Sequence, residues 1–136
     1  MVSDTLASRK RPLRYVMGLV YVVAGVLHFL RPKPFEYIVP PQLPAKRALV
    51  YLTGVMEAAF GIGVLFERTR RVSAWGLIGT LLAVFPANVY MASDSYELPG
   101  VPERFDGAVD AALYARLPLQ AVLVAWAWWY TGEDGD

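Results

Sequence analysis

The chain is 136 residues long, 56% hydrophobic and 18% charged, whereas soluble domains usually carry about 25% charged residues. A formal net charge of +1 argues against a nucleic-acid partner, and the absence of cysteine excludes disulfides, thiolate metal sites and thiol redox chemistry by this chain. The length allows one domain at most.

Four apolar segments, at residues 14–30, 48–66, 72–91 and 110–130, each approach the ~20 residues that cross a bilayer as a helix. A soluble fold would have to bury all four on every side, and so short a chain has too little polar surface to cover that core. We therefore predict an all-α fold, a single domain over residues 1–136 that forms a four-helix transmembrane bundle. No small-residue cleavage site follows the first segment, so we expect it to be retained as a helix.

The segments between these helices differ in length and composition. Met1 to Pro12 form a polar tail that is expected to fray. The first loop, "RPKPFEYIVPPQLP", predicts a proline-rich cap in which Pro34 opens a short helical turn before Pro40 and Pro41 end it. The second loop, "ERTRR", has about five residues, so the second and third helices should be antiparallel neighbours.

The positions of lysine and arginine indicate an orientation. The N-terminal tail and the second loop together carry seven of these residues, and the first and third loops carry five. Because positive residues favour the cytoplasmic side, we predict a multi-pass protein of the cytoplasmic membrane with both termini in the cytoplasm. The basic first loop, with Arg31, Lys33, Lys46 and Arg47, runs against this orientation.

Two further patterns concern packing. Small residues four apart, such as Gly54 with Ala58 and Gly79 with Ala83, would let helices approach closely. Aromatic residues at the tail-side helix ends are typical of an interfacial belt: Tyr15, Phe66, Trp75, Trp128, Trp129 and Tyr130.

Five polar residues lie inside the predicted helices: His28, Glu57, Asn88, Arg116 and Gln120. Polar side chains are costly in a bilayer, so each is a candidate for a ligand pocket. At about 1.5 Å per residue, all five lie in the membrane half that faces loops one and three. Pro86 and Pro118 should kink the third and fourth helices in the same half and free the carbonyls of Leu82 and Tyr114. We predict a polar half-cavity open to that face.

Within this half-cavity the two charges should compensate each other. A lone charge at the bilayer centre costs ~2.5–3.5 kcal/mol, so Glu57 and Arg116 are expected to pair across the second and fourth helices, with Gln120 and His28 in the same network. The pair would serve either to fix helix register or to form a ligand or proton-handling pocket.

A metal site and a catalytic centre find little support. Metal sites need three or four protein ligands, which one histidine, no cysteine and one deep carboxylate do not supply. No motif typical of hydrolases, nucleotide-binding proteins or zinc enzymes is present, so no catalytic residue is assigned and enzyme activity stays open.

Four stretches of the chain carry a family resemblance: "GVLHFLRPKPFEYIVPPQLP", "LVYLTGVMEAAFGIGVLFERTRRVSAWGLI", "AVFPANVYMA" and "ARLPLQAVLVAWAWWYT". Together they resemble the DoxX-like family of small prokaryotic four-helix membrane proteins, over nearly the whole chain from His28 onward. The resemblance implies a four-helix transmembrane bundle. The family is named after a subunit of a thiosulfate:quinone oxidoreductase, although a chain without cysteine is a poor candidate for direct sulfur chemistry. The motif positions carried over are His28, Pro32, Phe35, Pro40, Glu57, Pro86, Asn88, Arg116, Pro118 and Gln120.

Two functions follow as expectations. The first is an accessory or redox-linked membrane subunit whose half-cavity binds a quinone or another amphipathic small molecule, because aromatic residues near the polar cluster suit a mostly apolar pocket. The alternative is a non-catalytic assembly partner, packed against other membrane subunits or in a homo-oligomer within the lipid bilayer. A conducting pore is disfavoured, since four helices with so few polar residues line at most half a channel.

Overall fold

The computed structural model describes residues 2–37, 39–91 and 103–132. These residues form an all-helical fold, as predicted: α1 (Val2–Leu30), α2 (Pro32–Tyr37), α3 (Lys46–Gly63), α4 (Glu67–Met91) and α5 (Asp106–Trp128), with a short 3-10 turn, Glu103–Phe105, before α5. Among the described residues, two helices are long and apolar enough to cross a membrane by length and composition, over Asp4–Leu30 and Glu67–Tyr90. The helical turn predicted in the first loop is present as α2, but it begins at Pro32 and not at Pro34, and it ends at Tyr37, before the predicted stop at Pro40.

Helix α1 begins at Val2 and not at residue 14, so the prediction of a frayed tail was wrong for the described residues. Tertiary contacts explain the difference. The Lys10 ammonium lies 5.8 Å from the ring centre of Trp129 and 5.9 Å from that of Tyr130, and the Tyr130 hydroxyl donates a 2.7 Å hydrogen bond to the Lys10 carbonyl. These contacts hold the early turns, which a short polar sequence would not maintain alone.

The turn between α3 and α4 is shorter than predicted, because "ERTRR" forms the first turn of α4. Side chains of that turn donate hydrogen bonds to carbonyls at the end of α3, which lack the usual helical partners. The Thr69 hydroxyl donates to the Gly63 carbonyl at 2.7 Å, and Arg70 Nε donates to the Val64 carbonyl at 3.0 Å. The two helices are therefore joined by residues 64–66 alone and pack as neighbours, as their short connection predicted.

The helices pack in chain order, with α1 against α3, α3 against α4 and α4 against α5, while α2 covers the loop-side ends of α1 and α3. The apolar core lies in the tail-side half and contains Met17, Tyr21, Val64, Ala74, Leu77, Ile78, Ala127 and Tyr130. Tyr130 is 2% exposed and belongs to this core, so its assignment to the interfacial belt was wrong. Phe66, Trp75 and Trp128 are exposed, as that assignment requires.

Four glycines bring α1 and α3 into close contact, and we refer to Gly18, Gly25, Gly54 and Gly61 as the glycine seam. A Cβ atom on Gly25 would lie 2.5 Å from the Gly54 carbonyl oxygen, and one on Gly18 would lie 2.9 Å from the Gly61 carbonyl oxygen. Each helix supplies two glycines seven residues apart, a spacing of two turns that keeps both on one face. Gly79 has no atom within 4 Å of such a Cβ, so its predicted packing role is not met by the described residues.

The seam predicts opposite effects for the same substitution at two helical glycines. Gly54→Ala would place a Cβ 2.7 Å from the Cβ of His28, and overpacking of this kind should lower the free energy of unfolding by about 1–3 kcal/mol. Gly79→Ala should be neutral or raise it by up to about 1 kcal/mol, because alanine is the better helix former. Equilibrium unfolding of the two purified variants measures both effects. Equal stability of the two variants would contradict the seam.

Candidate functional site

His28 lies in the last turn of α1, where the chain leaves the helix. Its Nδ1 donates to the Ala24 carbonyl at 2.6 Å, and its ring stacks on Phe35 of α2 with centroids 3.8 Å apart. A carbonyl oxygen only accepts hydrogen bonds, so Nδ1 carries a proton. Nε2 makes no hydrogen bond with any described residue. His28 is 8% exposed, and with Nδ1 engaged Nε2 is the ring nitrogen left to hydrogen-bond a ligand.

Glu57 lies on α3 and approaches His28. Its Oε2 atom is 3.4 Å from His28 Nδ1, yet this buried oxygen accepts no hydrogen bond from the described residues because the Nδ1 proton is directed at Ala24. Its side chain is 15% exposed. The carboxyl group thus sits against the imidazole with an unsatisfied acceptor, an arrangement that costs free energy unless water or a ligand completes it.

The predicted ion pair between Glu57 and Arg116 is not formed. Arg116 is exposed on α5, and no ion pair joins it to a residue in the described part of the chain. The packing order accounts for the error. Helix α4 lies between α3 and α5, so side chains of α3 and α5 at this level do not meet.

Asn88 and Gln120 form a second polar cluster, which joins α4 to α5. The Asn88 side-chain amide donates to Gln120 Oε1, and Gln120 Nε2 donates to the Leu81 carbonyl. Both residues are buried. Pro86 was expected to free the Leu82 carbonyl, but Gln120 binds the carbonyl one residue earlier. Gln120 therefore pairs with Asn88 and the α4 backbone, and not with the group around Glu57 as predicted.

A cavity of about 250 Å³ lies between α3 and α4 beneath the proline-rich loop, and we name it the α3–α4 cavity. Its walls are largely apolar. Its polar lining residues are His28, Thr53 and Thr80; Phe35, Val39, Pro40 and Leu43 close it on the loop side, and Val50, Met56, Val84, Pro86 and Ala87 line its depth. Of the five candidate residues predicted from the sequence, His28 alone lines this cavity.

The two threonines of the cavity have already used their protons. The Thr53 hydroxyl donates to the Leu49 and Val50 carbonyls at 3.0 Å, and the Thr80 hydroxyl donates to the Gly76 carbonyl at 2.8 Å. Each hydroxyl oxygen keeps lone pairs that accept hydrogen bonds. With a neutral His28, Nε2 is also an acceptor. The cavity therefore presents three side-chain acceptors in an apolar enclosure.

Tyr21 is a site residue that the sequence did not indicate. It is 5% exposed, its hydroxyl has no described hydrogen-bond partner, and it lies within electrostatic range of the Glu57 carboxyl group. Tyr21 and His28 are seven residues apart, so both face α3 from the same side of α1. The signal available in the sequence was this spacing, since Tyr21 falls between Gly18 and Gly25 on the seam face.

The site as described can bind and orient a small molecule. Among the described residues, no group of three or more His, Asp or Glu side chains is placed to hold a metal ion. What the site offers is an imidazole edge and two hydroxyl oxygens for hydrogen bonding, with a carboxyl group behind the imidazole. Such a cavity, mostly apolar with a few directed polar groups, is the usual form of a small-molecule pocket.

A family model described as "Domain of unknown function (DUF8561)" matches residues 17–131. No curated protein and no solved structure matches the chain. The matched range includes the glycine seam, the His28–Glu57 contact, the α3–α4 cavity and the Asn88–Gln120 pair. Because the match covers most of the chain, the protein belongs to the DUF8561 family.

Proposed function

We infer that the protein is a DoxX-like accessory subunit of the cytoplasmic membrane, with four spans and both termini in the cytoplasm, and that it binds an amphipathic ring compound in the α3–α4 cavity. The motif resemblance supports the DoxX-like assignment. Support for the membrane placement comes from large apolar side chains exposed along the helices. Leu19 is 65% exposed on α1, Leu52 56% on α3, Leu82 60% on α4 and Val122 61% on α5. In water such surfaces would favour association, whereas lipid solvates them.

The observation that carries the binding proposal is the lining of the cavity. An apolar cavity of about 250 Å³ accommodates a single six-membered ring, and an apolar tail can extend outward past Leu52, which lines the cavity and is 56% exposed. The acceptors on His28, Thr53 and Thr80 favour a ligand that donates hydrogen bonds. A hydroxyl-bearing ring such as a quinol satisfies them, whereas the oxidised quinone, which has no donor, leaves them unpaired.

The binding proposal predicts different affinities for the two redox forms of a short-chain benzoquinone. Purified protein should bind the quinol at least about tenfold more tightly than the quinone, because each unmatched buried acceptor costs on the order of 1 kcal/mol or more. His28→Ala should weaken quinol binding about tenfold, and Ala87→Leu should abolish it by filling the cavity. Isothermal titration, kept anaerobic for the quinol, measures all four affinities.

Arg116→Ala is the matched control, because the sequence placed Arg116 in the same pocket and the structure places it on the exposed face of α5. Quinol binding should be unchanged in this variant. Equal affinity of the wild type for quinone and quinol would count against the cavity as the binding site. An equal loss of quinol affinity in the Arg116 and His28 variants would do the same.

The orientation generates a separate prediction. Alkaline phosphatase is active only outside the cytoplasm, so a fusion after Leu43 in the first loop should be active and a fusion after Asp136 should be inactive. Fluorescent protein fusions should give the opposite pattern. Activity at Asp136 with none at Leu43 would reverse the orientation while leaving the number of spans in place.

One observation favours a second candidate function, that of an assembly partner. Arg116 is exposed on α5 without an ion pair in the described part of the chain, and a charge that faces lipid is costly, by up to ~2.5–3.5 kcal/mol at the bilayer centre. A neighbouring protein that offers a carboxylate or a polar groove would remove this cost. The neighbouring exposed residues Ala111 and Ala115 would permit close packing there.

Cysteine crosslinking tests the assembly role cleanly because the chain contains no cysteine. Ala115→Cys, next to Arg116, should give a crosslinked product in native membranes under mild oxidation or with a thiol-reactive bifunctional reagent. Val23→Cys, on an exposed face of α1, is the control and should not. Mass spectrometry identifies the product as a homo-oligomer or a hetero-complex. Uncrosslinked monomer at both positions would exclude α5 as an interface.

A further inference from the structure

A second cavity, of about 440 Å³, lies between α2 and the first turn of α3, and we name it the basic cavity. It is lined by Lys33, Glu36, Tyr37, Lys46 and Arg47. Helix α2 separates it from the α3–α4 cavity, since Phe35 lines that cavity while Lys33, Glu36 and Tyr37 line the basic one. The two cavities therefore have different lining residues, which are largely apolar in the α3–α4 cavity and mostly charged in the basic cavity.

The charges around the basic cavity do not cancel. Arg47 Nη2 donates to Glu36 Oε2 at 3.0 Å, and this ion pair neutralises one cation and fixes the guanidinium. Neither Lys33 nor Lys46 forms an ion pair with a residue in the described ranges. Three cations and one carboxylate leave two positive charges at one opening, and lysine ammonium groups are common ligands of phosphate.

An apolar surface lies directly beside these charges. Leu30, the last residue of α1, is 70% exposed, and Phe29 is 43% exposed. Phe29 stacks on Tyr51 of α3 with centroids 4.9 Å apart and planes inclined by 9°, about one turn from Lys46 and Arg47. A cationic basin next to an apolar aromatic strip matches a ligand with an anionic head and a hydrocarbon tail.

The location fits the boundary of a membrane. The apolar helix α1 ends at Leu30 and α3 starts at Lys46, so the basic cavity lies at the level of the lipid headgroups if α1 spans the bilayer. The four basic residues of the first loop oppose the orientation that the remaining charges favour. A binding role for Lys33, Lys46 and Arg47 explains why cations stand on this side of the membrane.

We propose that Lys33, Lys46 and Arg47 bind the phosphate of an anionic phospholipid, with one of its acyl chains lying along Phe29, Leu30 and Tyr51. Glu36 holds Arg47 in position through their ion pair. The phospholipid occupies a site separate from the α3–α4 cavity, so this inference rests on the membrane placement proposed above and not on the cavity ligand. The three cations alone would also bind soluble phosphates. The apolar strip of Phe29, Leu30 and Tyr51 favours a phosphate that carries an acyl chain.

The experiment compares two double variants that each remove two positive charges. Lys33→Gln with Lys46→Gln removes the site, whereas Arg9→Gln with Arg68→Gln removes exposed charges on the opposite face of the protein. Phosphatidylglycerol and phosphatidylcholine are titrated into purified protein in mild detergent, and native mass spectrometry measures the bound fractions. The wild type and the control variant should prefer phosphatidylglycerol, and the site variant should bind it about 30-fold more weakly, given roughly one kcal/mol per lysine near an anionic surface.

Two further arms decide between the sources of phosphate. Inorganic phosphate at millimolar concentration should not displace the lipid, and Tyr51→Ala should weaken lipid binding while leaving Lys33, Lys46 and Arg47 in place. An equal loss of phosphatidylglycerol binding in both double variants would overturn the proposal and indicate general electrostatic attraction. Displacement by inorganic phosphate, or no effect of Tyr51→Ala, would overturn the assignment to a lipid. The site variant should keep wild-type quinol affinity, which separates this test from that of the α3–α4 cavity.

Discussion

The close approach of α1 and α3 at the glycine seam determines where the polar groups of the loop-side half lie. Gly54 faces the Cβ of His28, and a side chain at that position would collide with it. The absence of that side chain lets the imidazole lie between the two helices, with Nδ1 on the Ala24 carbonyl and Glu57 Oε2 3.4 Å away. Backbone contact in this interface is therefore the condition for the His28–Glu57 contact.

Packing in chain order divides the remaining polar residues into groups with different roles. The Asn88–Gln120 pair joins α4 to α5 and binds the Leu81 carbonyl close to Pro86, which itself lines the α3–α4 cavity. This pair supports one cavity wall from behind. His28 lines the cavity from the α1 side and supplies one of its three side-chain acceptors. A polar pair that joins two helices and a polar residue that lines the cavity thus occupy the same half of the protein without a hydrogen bond between them.

The sequence predicted the helices and the half of the protein that holds the polar residues, because segment length and depth along a helix are local properties. It did not predict which residues meet. A spacing of four residues suggested that Gly79 packs against another helix, but the close contacts between helices use glycines seven residues apart. Which glycines meet depends on how α1 and α3 cross, and the sequence does not show that crossing. Arg116 was assigned to Glu57 because charge alone cannot reveal that α4 lies between them. The first turns of α1 are held by residues about 120 positions later in the chain, and a local sequence pattern carries no information about such distant contacts.

The hydrogen bond from Tyr130 to the Lys10 carbonyl also bears on how the molecule is assembled. Its two residues are separated by 120 positions, so it closes nearly the longest loop the chain can form. Contacts of this kind carry a large entropic cost and form late. During synthesis α1 and α3 are both complete, and can meet through their glycines, before Tyr130 is added. The tail-side end of α1 therefore gains its contact with Tyr130 after the α1–α3 interface can already have formed.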